Sequence, residues 1–321
     1  MTQFTFHDYH SATQSLHDAV LHGFSLKQKA IPPKFFYDER GSALFEAICH
    51  QPEYYPPTVE RALLTSIRGE IAELVGEGRV LIEPGAGSAE KVRILLDALR
   101  PSAYVPMDIS RDFLKEAARG VVVECPWLPV HAACVDYTHS LPVPEPVPAG
   151  DRLIFFPGSS LGNFEPDDAQ AFMRLCCRTA GSNGMMLIGV DTKKDHRILH
   201  AAYNDAAGVT ADFNRNLLHR IRQELDADCK PEHFEHQAFY NAEDGRVEMH
   251  LVSRCSHAVH VNGHAFEFDE GETLHTECSY KYRPDEFIEL AVNTGFEPVR
   301  HWQDPDQLFA VYLLQTRRMR V

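Results

Sequence analysis

Residues 80–91 read Val-Leu-Ile-Glu-Pro-Gly-Ala-Gly-Ser-Ala-Glu-Lys, an apolar run followed by a turn with two glycines and the start of an amphipathic segment. This order predicts a buried strand, a tight loop and a helix. A cofactor that binds at the carboxyl end of a parallel strand needs glycines in the turn, so that it can approach the backbone. Gly85 and Gly87 lie at that position, although two glycines also suit a structural turn or a nicotinamide-binding fold.

In the middle of the chain, short apolar runs alternate with helical patterns, which is typical of a parallel sheet covered by helices. The predicted strands cover residues 80–82, 104–107, 128–132, 153–156 and 185–190. The predicted helices between them cover residues 90–99, 111–119 and 166–178, with Ser110 as a capping residue. The pattern therefore predicts an α/β fold with a doubly wound, mostly parallel sheet of the Rossmann-like kind.

After Val190 the pattern changes from alternating strands and helices to one helical stretch followed by strands in series. The strand-like segments cover residues 237–240, 247–252, 258–261 and 276–282. The alternation returns with a helix that starts near residue 284 and a strand over 308–314. This indicates an α+β module inserted late into the doubly wound domain. We predict a cofactor-binding domain of residues 61–193 and 284–321 and a substrate-binding domain of residues 1–60 and 194–283.

Acidic residues follow the second and third predicted strands, at positions where they could bind adenosine. Asp108 lies 23 residues after Gly85, at the spacing of a carboxylate that accepts two hydrogen bonds from a ribose. Asp136 and Tyr137 follow the third strand, where they would meet the edge and the face of adenine. Glu90 occupies the sixth position of the dinucleotide fingerprint, which requires Gly or Ala. Adenosine is therefore favoured over a dinucleotide, and a nicotinamide-dependent dehydrogenase becomes the weaker alternative.

Composition and charge exclude several other classes of protein. The formal net charge is −15, with 46 acidic residues against 31 Lys and Arg, and no dense basic stripe would attract nucleic acid. No apolar run approaches the roughly 18 residues of a membrane span, and the start of the chain lacks the pattern of a signal peptide. His196 and His200 have the spacing of metal ligands without a third ligand nearby. We expect a cytoplasmic monomer that binds no metal, nucleic acid or membrane.

Seven motifs along the chain carry a resemblance to a known family. They are Pro-Pro-Lys-Phe-Phe-Tyr-Asp (32–38), Gly-Ser-Ala-Leu-Phe (41–45), Pro-Glu-Tyr-Tyr-Pro (52–56), the loop 83–91, Gly-Ser-Ser-Leu-Gly-Asn-Phe (158–164), Tyr-Asn-Asp-Ala-Ala-Gly-Val-Thr (203–210) and Thr-Glu-Cys-Ser-Tyr-Lys-Tyr (276–282). In this order and spacing the chain resembles the L-histidine Nα-methyltransferases of ergothioneine biosynthesis, the EgtD family. The resemblance implies a class I methyltransferase that transfers methyl groups from S-adenosylmethionine to free L-histidine in three steps, forming the betaine hercynine.

The resemblance also implies a set of site residues. The residues that would contact S-adenosylmethionine are Gly85, Lys91, Asp108, Asp136 and Tyr137. The residues that would bind histidine are Tyr54, Gly158, Asn163, Tyr203, Met249, Glu277 and Ser279. Tyr37 and Asn163 would be catalytic, with Tyr37 and the backbone of Gly158 near the reacting amine and Met249 beside the substrate side chain.

The chemistry of these residues suits a free amino acid. An Asn amide and a Tyr hydroxyl donate hydrogen bonds to a carboxylate without adding a competing charge. Imidazole differs from other rings in its two nitrogens, and a Glu carboxylate with a Ser hydroxyl can pair with an N–H on one of them. An analogue that lacks this partner leaves the site unsatisfied. Without the resemblance, the same residues also suit a turn, packed aromatic anchors or an exposed strand face. Two alternatives stay open: an enzyme of this fold for tryptophan or tyrosine, and a non-catalytic module that binds S-adenosylmethionine.

Overall fold

The computed structural model describes residues 4–9 and 15–317. Its strands are β1 (Phe4–Asp8), β2 (Lys29–Ala30), β3 (Val80–Pro84), β4 (Ala103–Asp108), β5 (Val130–Cys134), β6 (Arg152–Phe156), β7 (Met185–Asp191), β8 (Phe234–Asn241), β9 (Arg246–Ser253), β10 (His257–Val261), β11 (His264–Phe268), β12 (Thr273–Tyr280), β13 (Phe296–Gln303) and β14 (Phe309–Thr316). Its α-helices are α1 (Leu16–Ser25), α2 (Glu39–Cys49), α3 (Pro56–Val75), α4 (Glu90–Leu99), α5 (Arg111–Glu124), α6 (Pro166–Ala180), α7 (His196–Tyr203), α8 (Val209–Glu224) and α9 (Pro284–Asn293).

The described residues form two compact units. The first contains residues 4–9, 56–193 and 282–317, and the second contains residues 15–55 and 194–281. No helix in these described parts is both long enough and apolar enough to span a bilayer.

The first unit is built on one sheet with the strand order β1-β5-β4-β3-β6-β7-β14-β13. The first six strands in this order, β1, β5, β4, β3, β6 and β7, run parallel, whereas β14 and β13 are antiparallel additions at one edge. Every residue of β3, β5 and β7 is buried, as expected for strands covered by helices on both faces. The predicted Rossmann-like, doubly wound, mostly parallel fold is confirmed.

The direction of strand succession reverses beside β3. Successive strands β3, β4 and β5 proceed toward one edge, while β6 and β7 lie on the other side of β3. In open α/β sheets the loops at the carboxyl ends of the strands separate at such a point, and the crevice between them is where ligands bind. The loop that follows β3 therefore occupies the position in this unit that is best suited to a cofactor.

The amino-terminal residues differ from the predicted domain division, which assigned residues 1–60 to the substrate-binding domain. Strand β1 pairs in parallel with β5, so that Phe4 lies opposite Val130 at the edge of the large sheet. Phe4 and Phe6 pack against the apolar core of the first unit. The segment is too short to show a clear periodicity, and its place depends on pairing with a strand more than 100 residues away.

Strand β13 was also absent from the predicted elements. Five consecutive residues in the middle of this strand, 297–301, are exposed, so that it lacks the apolar run by which the central strands were identified. It is held by antiparallel pairing with β14, whose residues are almost all buried. Ser110 does precede α5 as predicted, but its side chain makes no capping hydrogen bond.

The second unit has the mixed α+β character predicted for the inserted module. Its four-stranded sheet has the order β2-β12-β9-β8, and β10 and β11 form a separate hairpin. Helices α1, α2, α7 and α8 supply apolar side chains to a core that is rich in aromatic residues. In that core the ring of Phe36 stacks on Phe213 with 4.5 Å between the ring centroids.

Candidate active site

The loop after β3 has the left-handed backbone that its glycines predicted. Gly85 and Gly87 have φ angles of 68° and 53°, and Ala89 adopts the left-handed conformation directly before α4. A Cβ atom on Gly85 would lie 3.2 Å from the hydroxyl oxygen of Tyr137 and 3.3 Å from two of its ring carbons. Glycine at position 85 is therefore favoured twice, by the positive φ and by the close approach of this ring.

Asp108 at the end of β4 holds the same loop. One oxygen of its carboxylate accepts a hydrogen bond from the backbone N–H of Gly87 at 3.1 Å. The other oxygen accepts from the N–H of Ser110 at 2.9 Å. Burial raises the pKa of Asp108 above its ordinary value. A carboxylate offers about four lone-pair positions, so these two bonds leave acceptor capacity for a ligand.

Asp136 and Tyr137 follow β5 on the next strand of the sheet. The carboxylate of Asp136 accepts hydrogen bonds from the N–H and the hydroxyl of Thr138, at 3.1 and 2.5 Å. The ring of Tyr137 packs edge-on against Phe156 and Phe172, each with a centroid distance of 6.1 Å. Burial raises the pKa of the Tyr137 phenol, so the hydroxyl is neutral at physiological pH. The structure thus brings features of β3, β4 and β5 together at one edge of the sheet.

Lys91 in the first turn of α4 is paired with a buried acid that the sequence reasoning missed. Its Nζ lies 2.5 Å from Oε2 of Glu60, a side chain that is only 1% exposed. Both oxygens of Glu60 also accept from the backbone N–H of Gly158, at 2.9 Å each. A Cβ on Gly189 would come within 2.0 Å of the Glu60 carboxylate, so glycine is required there. The charged residue within the apolar stripe of α3, beside Leu63 and Leu64, was the available signal.

The turn at 158–163 follows β6, on the other side of the reversal point. Gly158 has a φ of 84°, and Ser159 adopts the left-handed conformation before a single 3₁₀ turn over Ser160–Asn163. The hydroxyl of Ser159 accepts a hydrogen bond from the N–H of Asp191 at 2.8 Å, which ties the turn to β7. Gly158 and Asn163 therefore lie at the same edge of the first unit as the glycine loop after β3.

Glu83, within the motif that opens the loop, is a buried acid with a raised pKa. It is 1% exposed and accepts a hydrogen bond from the hydroxyl of Tyr104. Burial raises the pKa of Glu83 to about 8, although the Tyr104 hydrogen bond and then Lys91 oppose that rise. The folded protein therefore holds a proton on Glu83 at pH values where the unfolded chain has lost it.

We expect the Glu83→Gln variant to remove a pH dependence of stability. The stabilising contribution of the protonated Glu83 is complete below its unfolded pKa of 4.5 and is lost as the pH rises through about 8. Wild type should therefore lose stability relative to the variant across this range, by up to about 1.4 kcal/mol per pH unit. Urea unfolding at a series of pH values measures this difference in the free energy of unfolding. Glu73→Gln, an exposed change on α3, is the control; parallel curves for wild type and Glu83→Gln would contradict the prediction.

In the second unit, three polar side chains of one strand segment are buried on the same face. A register shift between His275 and Glu277 marks a bulge in the pairing of β12 with β9. Beyond the bulge, Glu277, Ser279 and Lys281 alternate along the chain, and they are 9%, 4% and 2% exposed. Lys281 was not among the predicted site residues, although this period-two pattern in the 276–282 motif could have identified it.

Lys281 connects this face to α7. Its Nζ donates hydrogen bonds to Oγ of Ser279 at 2.8 Å and to the hydroxyl oxygen of Tyr203 at 3.2 Å. Burial raises the pKa of Glu277 to about 7, while the ammonium of Lys281 opposes the rise. Within the described part of the chain, no hydrogen-bond donor reaches the Glu277 carboxylate.

Aromatic side chains complete the candidate site in the second unit. Tyr54 and Tyr203 meet edge to face at 6.1 Å, and Tyr37 packs against Phe45 at 5.7 Å. Burial, followed by the proximity of Tyr203, raises the pKa of Tyr54, so its hydroxyl is a neutral donor. Met249 is buried on β9 and pairs in register with Glu277.

The predicted residues are thus divided between the two units. The first unit contains Gly85, Lys91, Asp108, Asp136, Tyr137, Gly158 and Asn163. The second contains Tyr37, Tyr54, Tyr203, Met249, Glu277 and Ser279.

Two clusters in the second unit have side chains suited to a metal ion, and neither includes the His196 and His200 pair considered above. They are His233 with Cys255 and His257, and Glu248 with His250 and His275. The carboxylate of Glu248 already accepts hydrogen bonds from the side chains of Asn241 and Arg246, at 3.0 and 2.9 Å.

Comparison with known proteins identifies the family of this chain. The model of a family described as "Histidine-specific methyltransferase, SAM-dependent" matches residues 16–316. A histidine N-alpha-methyltransferase of Mycolicibacterium smegmatis is 36% identical and covers 94% of this chain and 95% of its own length. A protein of the same name from Mycobacterium tuberculosis is also 36% identical, covering 89% and 90%. Ergothioneine biosynthesis protein 1 of Neurospora crassa is 30% identical, and the match spans 91% of this chain and 34% of that protein. The sequence and fold of this chain, together with these relatives, show that it belongs to the family of histidine-specific, S-adenosylmethionine-dependent methyltransferases.

Proposed function

We propose that this protein methylates the α-amine of free L-histidine in three successive transfers from S-adenosylmethionine, giving the trimethyl betaine hercynine as the first step of ergothioneine biosynthesis. The observation that carries the proposal is the buried carboxylate of Glu277, which lacks a donor in the described structure and lies two residues from Ser279. Such a carboxylate suits a ring N–H, and an adjacent hydroxyl suits the second ring nitrogen.

The edge of the sheet in the first unit fits the adenosyl group of the methyl donor. Asp108 would accept hydrogen bonds from the two ribose hydroxyls, since its carboxylate retains free lone pairs beside the glycine loop. Asp136 would accept from the adenine amine, and Tyr137 would pack on the base. Lys91 would contact the charged end of the donor while paired with Glu60. Bound in this way, the donor supplies an electrophilic methyl group on its sulfonium.

The substrate residues have chemistry that suits an amino acid held by its polar groups. We assign Tyr54, Asn163 and Tyr203 to the backbone groups of histidine, because neutral hydroxyl and amide donors can bind a carboxylate. Met249 would provide apolar contact beside the ring. The N–H of Gly158 donates to Glu60, which leaves its carbonyl oxygen as the group that we assign to the reacting amine.

The reaction needs no covalent intermediate with the protein. Before each transfer the ammonium loses a proton, which is released to solvent directly or through a tyrosine hydroxyl; the lone pair of the neutral amine then forms the new N–C bond, and the electrons of the breaking C–S bond remain on sulfur. The protein contributes alignment and the exclusion of water, effects that can lower a barrier by roughly 7–11 kcal/mol.

Trimethylation places a growing cation near the tyrosines of the site, and ring faces stabilise such a cation by about 0.5–2 kcal/mol. We expect Tyr37→Phe to keep this stabilisation but to lose the hydroxyl that orients the amine. The trimethyl share of the products should fall, by up to about tenfold, the value of one hydrogen bond. Mass spectrometry of mono-, di- and trimethyl products measures it, with the exposed Tyr9→Phe as the control. An unchanged product distribution would remove the assigned role.

The proposed function is tested by incubating the purified protein with labelled S-adenosylmethionine and a panel of free amino acids. Histidine should be preferred over tryptophan and tyrosine by at least about 100-fold in kcat/KM. A preference for one of the other amino acids would refute histidine as the substrate. A rise in melting temperature with S-adenosylhomocysteine but no turnover on any amino acid would indicate a non-catalytic binding module.

A further inference from the structure

Lys281 makes two hydrogen bonds whose direction is determined by its chemistry. An ammonium has three donors and no acceptor, so Ser279 Oγ and the Tyr203 hydroxyl oxygen must both accept from it. The Ser279 hydroxyl therefore cannot donate toward Lys281, and its single proton must point elsewhere. Within the described residues, Ser279 Oγ accepts from Lys281 and donates to no other group. Lys281 is 2% exposed, so water does not compete freely for its donors.

We propose that Lys281 is a positioning residue for substrate specificity: it forces Ser279 to act as a hydrogen-bond donor, beside Glu277 as an acceptor. The inference rests on the proposed function and deepens it. Together the two side chains would select a five-membered ring with one N–H and one bare nitrogen, which is neutral imidazole. A site that satisfies both ring nitrogens discriminates strongly against rings that lack either one.

The positive charge of Lys281 also favours binding of a ring N–H, because it helps to keep Glu277 ionised. The Tyr54 phenol and the Lys281 ammonium interact electrostatically with Glu277, and Met249 lies opposite Glu277 across the strand pair. The ammonium is the only cation in this set, and it lowers the pKa of Glu277 against the effect of burial. Removing it would leave Glu277 protonated over a wider pH range, and a protonated carboxyl is a poorer acceptor for a ring N–H.

A purely structural role for Lys281 predicts different behaviour. Its backbone N–H donates to the carbonyl of Gly245 at 3.0 Å, which anchors the end of β12 in any variant. A side chain that only filled space would affect folding and all substrates alike. If the Lys281 side chain orients Ser279, removing it changes the preference between rings that differ in a single nitrogen. Removing the Lys281 side chain and the Ser279 hydroxyl together should then reduce this preference no more than removing either one alone.

The test compares L-histidine with pyrrol-2-yl- and pyrrol-3-yl-L-alanine, which each keep one ring N–H and replace the other nitrogen by C–H. The informative analogue is the one that keeps the N–H facing Glu277 and lacks the nitrogen facing Ser279. In Lys281→Met, the preference for histidine over this analogue should fall by about tenfold, and Ser279→Ala should show the same fall. The double variant should fall no further than either single one. Lys281→Arg, which keeps donors and charge, should stay within about threefold of wild type. The preference is measured as a ratio of kcat/KM and as a ratio of Kd by calorimetry with S-adenosylhomocysteine bound.

Two results would overturn the inference. One is a Lys281→Met variant with the wild-type preference, and the other is a double variant whose loss is the product of the single losses. If Lys281→Met does not fold, as judged by circular dichroism, Lys281→Gln replaces it, because its uncharged amide can accept from Ser279 and release the constraint. A wild-type protein that does not methylate histidine at all refutes the proposed function as well, whereas an active wild type with unchanged ratios in the variants refutes only the role of Lys281.

Discussion

Replacing Glu277 with glutamine is expected to lower kcat/KM for histidine by about 100-fold or more, the value of a charge-assisted hydrogen bond in a buried site. Glutamine has nearly the same shape, so the fold and the cofactor affinity should be retained. Its amide replaces one carboxylate oxygen with a donor, which would face the ring N–H instead of accepting from it. The measurement is steady-state kinetics on histidine, together with melting temperatures with and without S-adenosylhomocysteine.

The control for Glu277→Gln is Glu235→Gln, which makes the same chemical change at an exposed position on β8 of the same unit. That variant should behave as wild type. Activity of Glu277→Gln within about threefold of wild type, in a folded protein, would mean that the carboxylate does not contact the substrate ring. The buried acid would then have to be explained as part of the polar face that it forms with Ser279 and Lys281.

Asp108→Asn is expected to weaken the binding of S-adenosylhomocysteine by about 100-fold, from the combined loss of a ribose contact and of order in the glycine loop. The carboxylate accepts from the N–H groups of Gly87 and Ser110 with its two oxygens. An amide can satisfy only one of them, because its NH₂ group would meet the other N–H as a second donor. Isothermal titration calorimetry measures the affinity, and thermal unfolding without ligand measures the effect on the loop.

Asp112→Asn is the matched control, because Asp112 is an exposed acid in the first turn of α5. It should bind S-adenosylhomocysteine as wild type does. A lower melting temperature of Asp108→Asn with an unchanged Kd would show that Asp108 only holds the loop and does not contact the ligand.

The central strands could be predicted from the sequence because they are buried on both faces. A strand covered by helices on both sides is mostly apolar, so β3 to β7 each contain a short apolar run, although β3 also includes the buried Glu83. Strands β1 and β13 lie at the edges of the sheet, where neither needs such a run. Their positions follow from pairing with β5 and β14, which local patterns do not encode.

The glycine loop after β3 was recognisable from residues 80–91 because a tight turn after a buried strand requires glycine, and its glycines do adopt positive φ angles. The residues proposed to bind the substrate rest on resemblance and not on periodicity. Glu277 and Ser279 alone would suit an exposed strand face, and only the structure shows that they are buried together with Lys281.

The sequence by itself determined the doubly wound sheet, the glycine loop and the carboxylates that follow the strands, because these depend on burial and backbone geometry within short segments. Only the tertiary structure decided which groups form hydrogen bonds with the buried charged side chains. Glu60 joins Lys91 and Gly158, which lie 31 and 98 residues away, and Lys281 reaches Tyr203 across 78 residues. The reason is physical: a buried charge is stable only where the fold supplies its hydrogen-bond partners, and those partners come from elements that no local pattern connects.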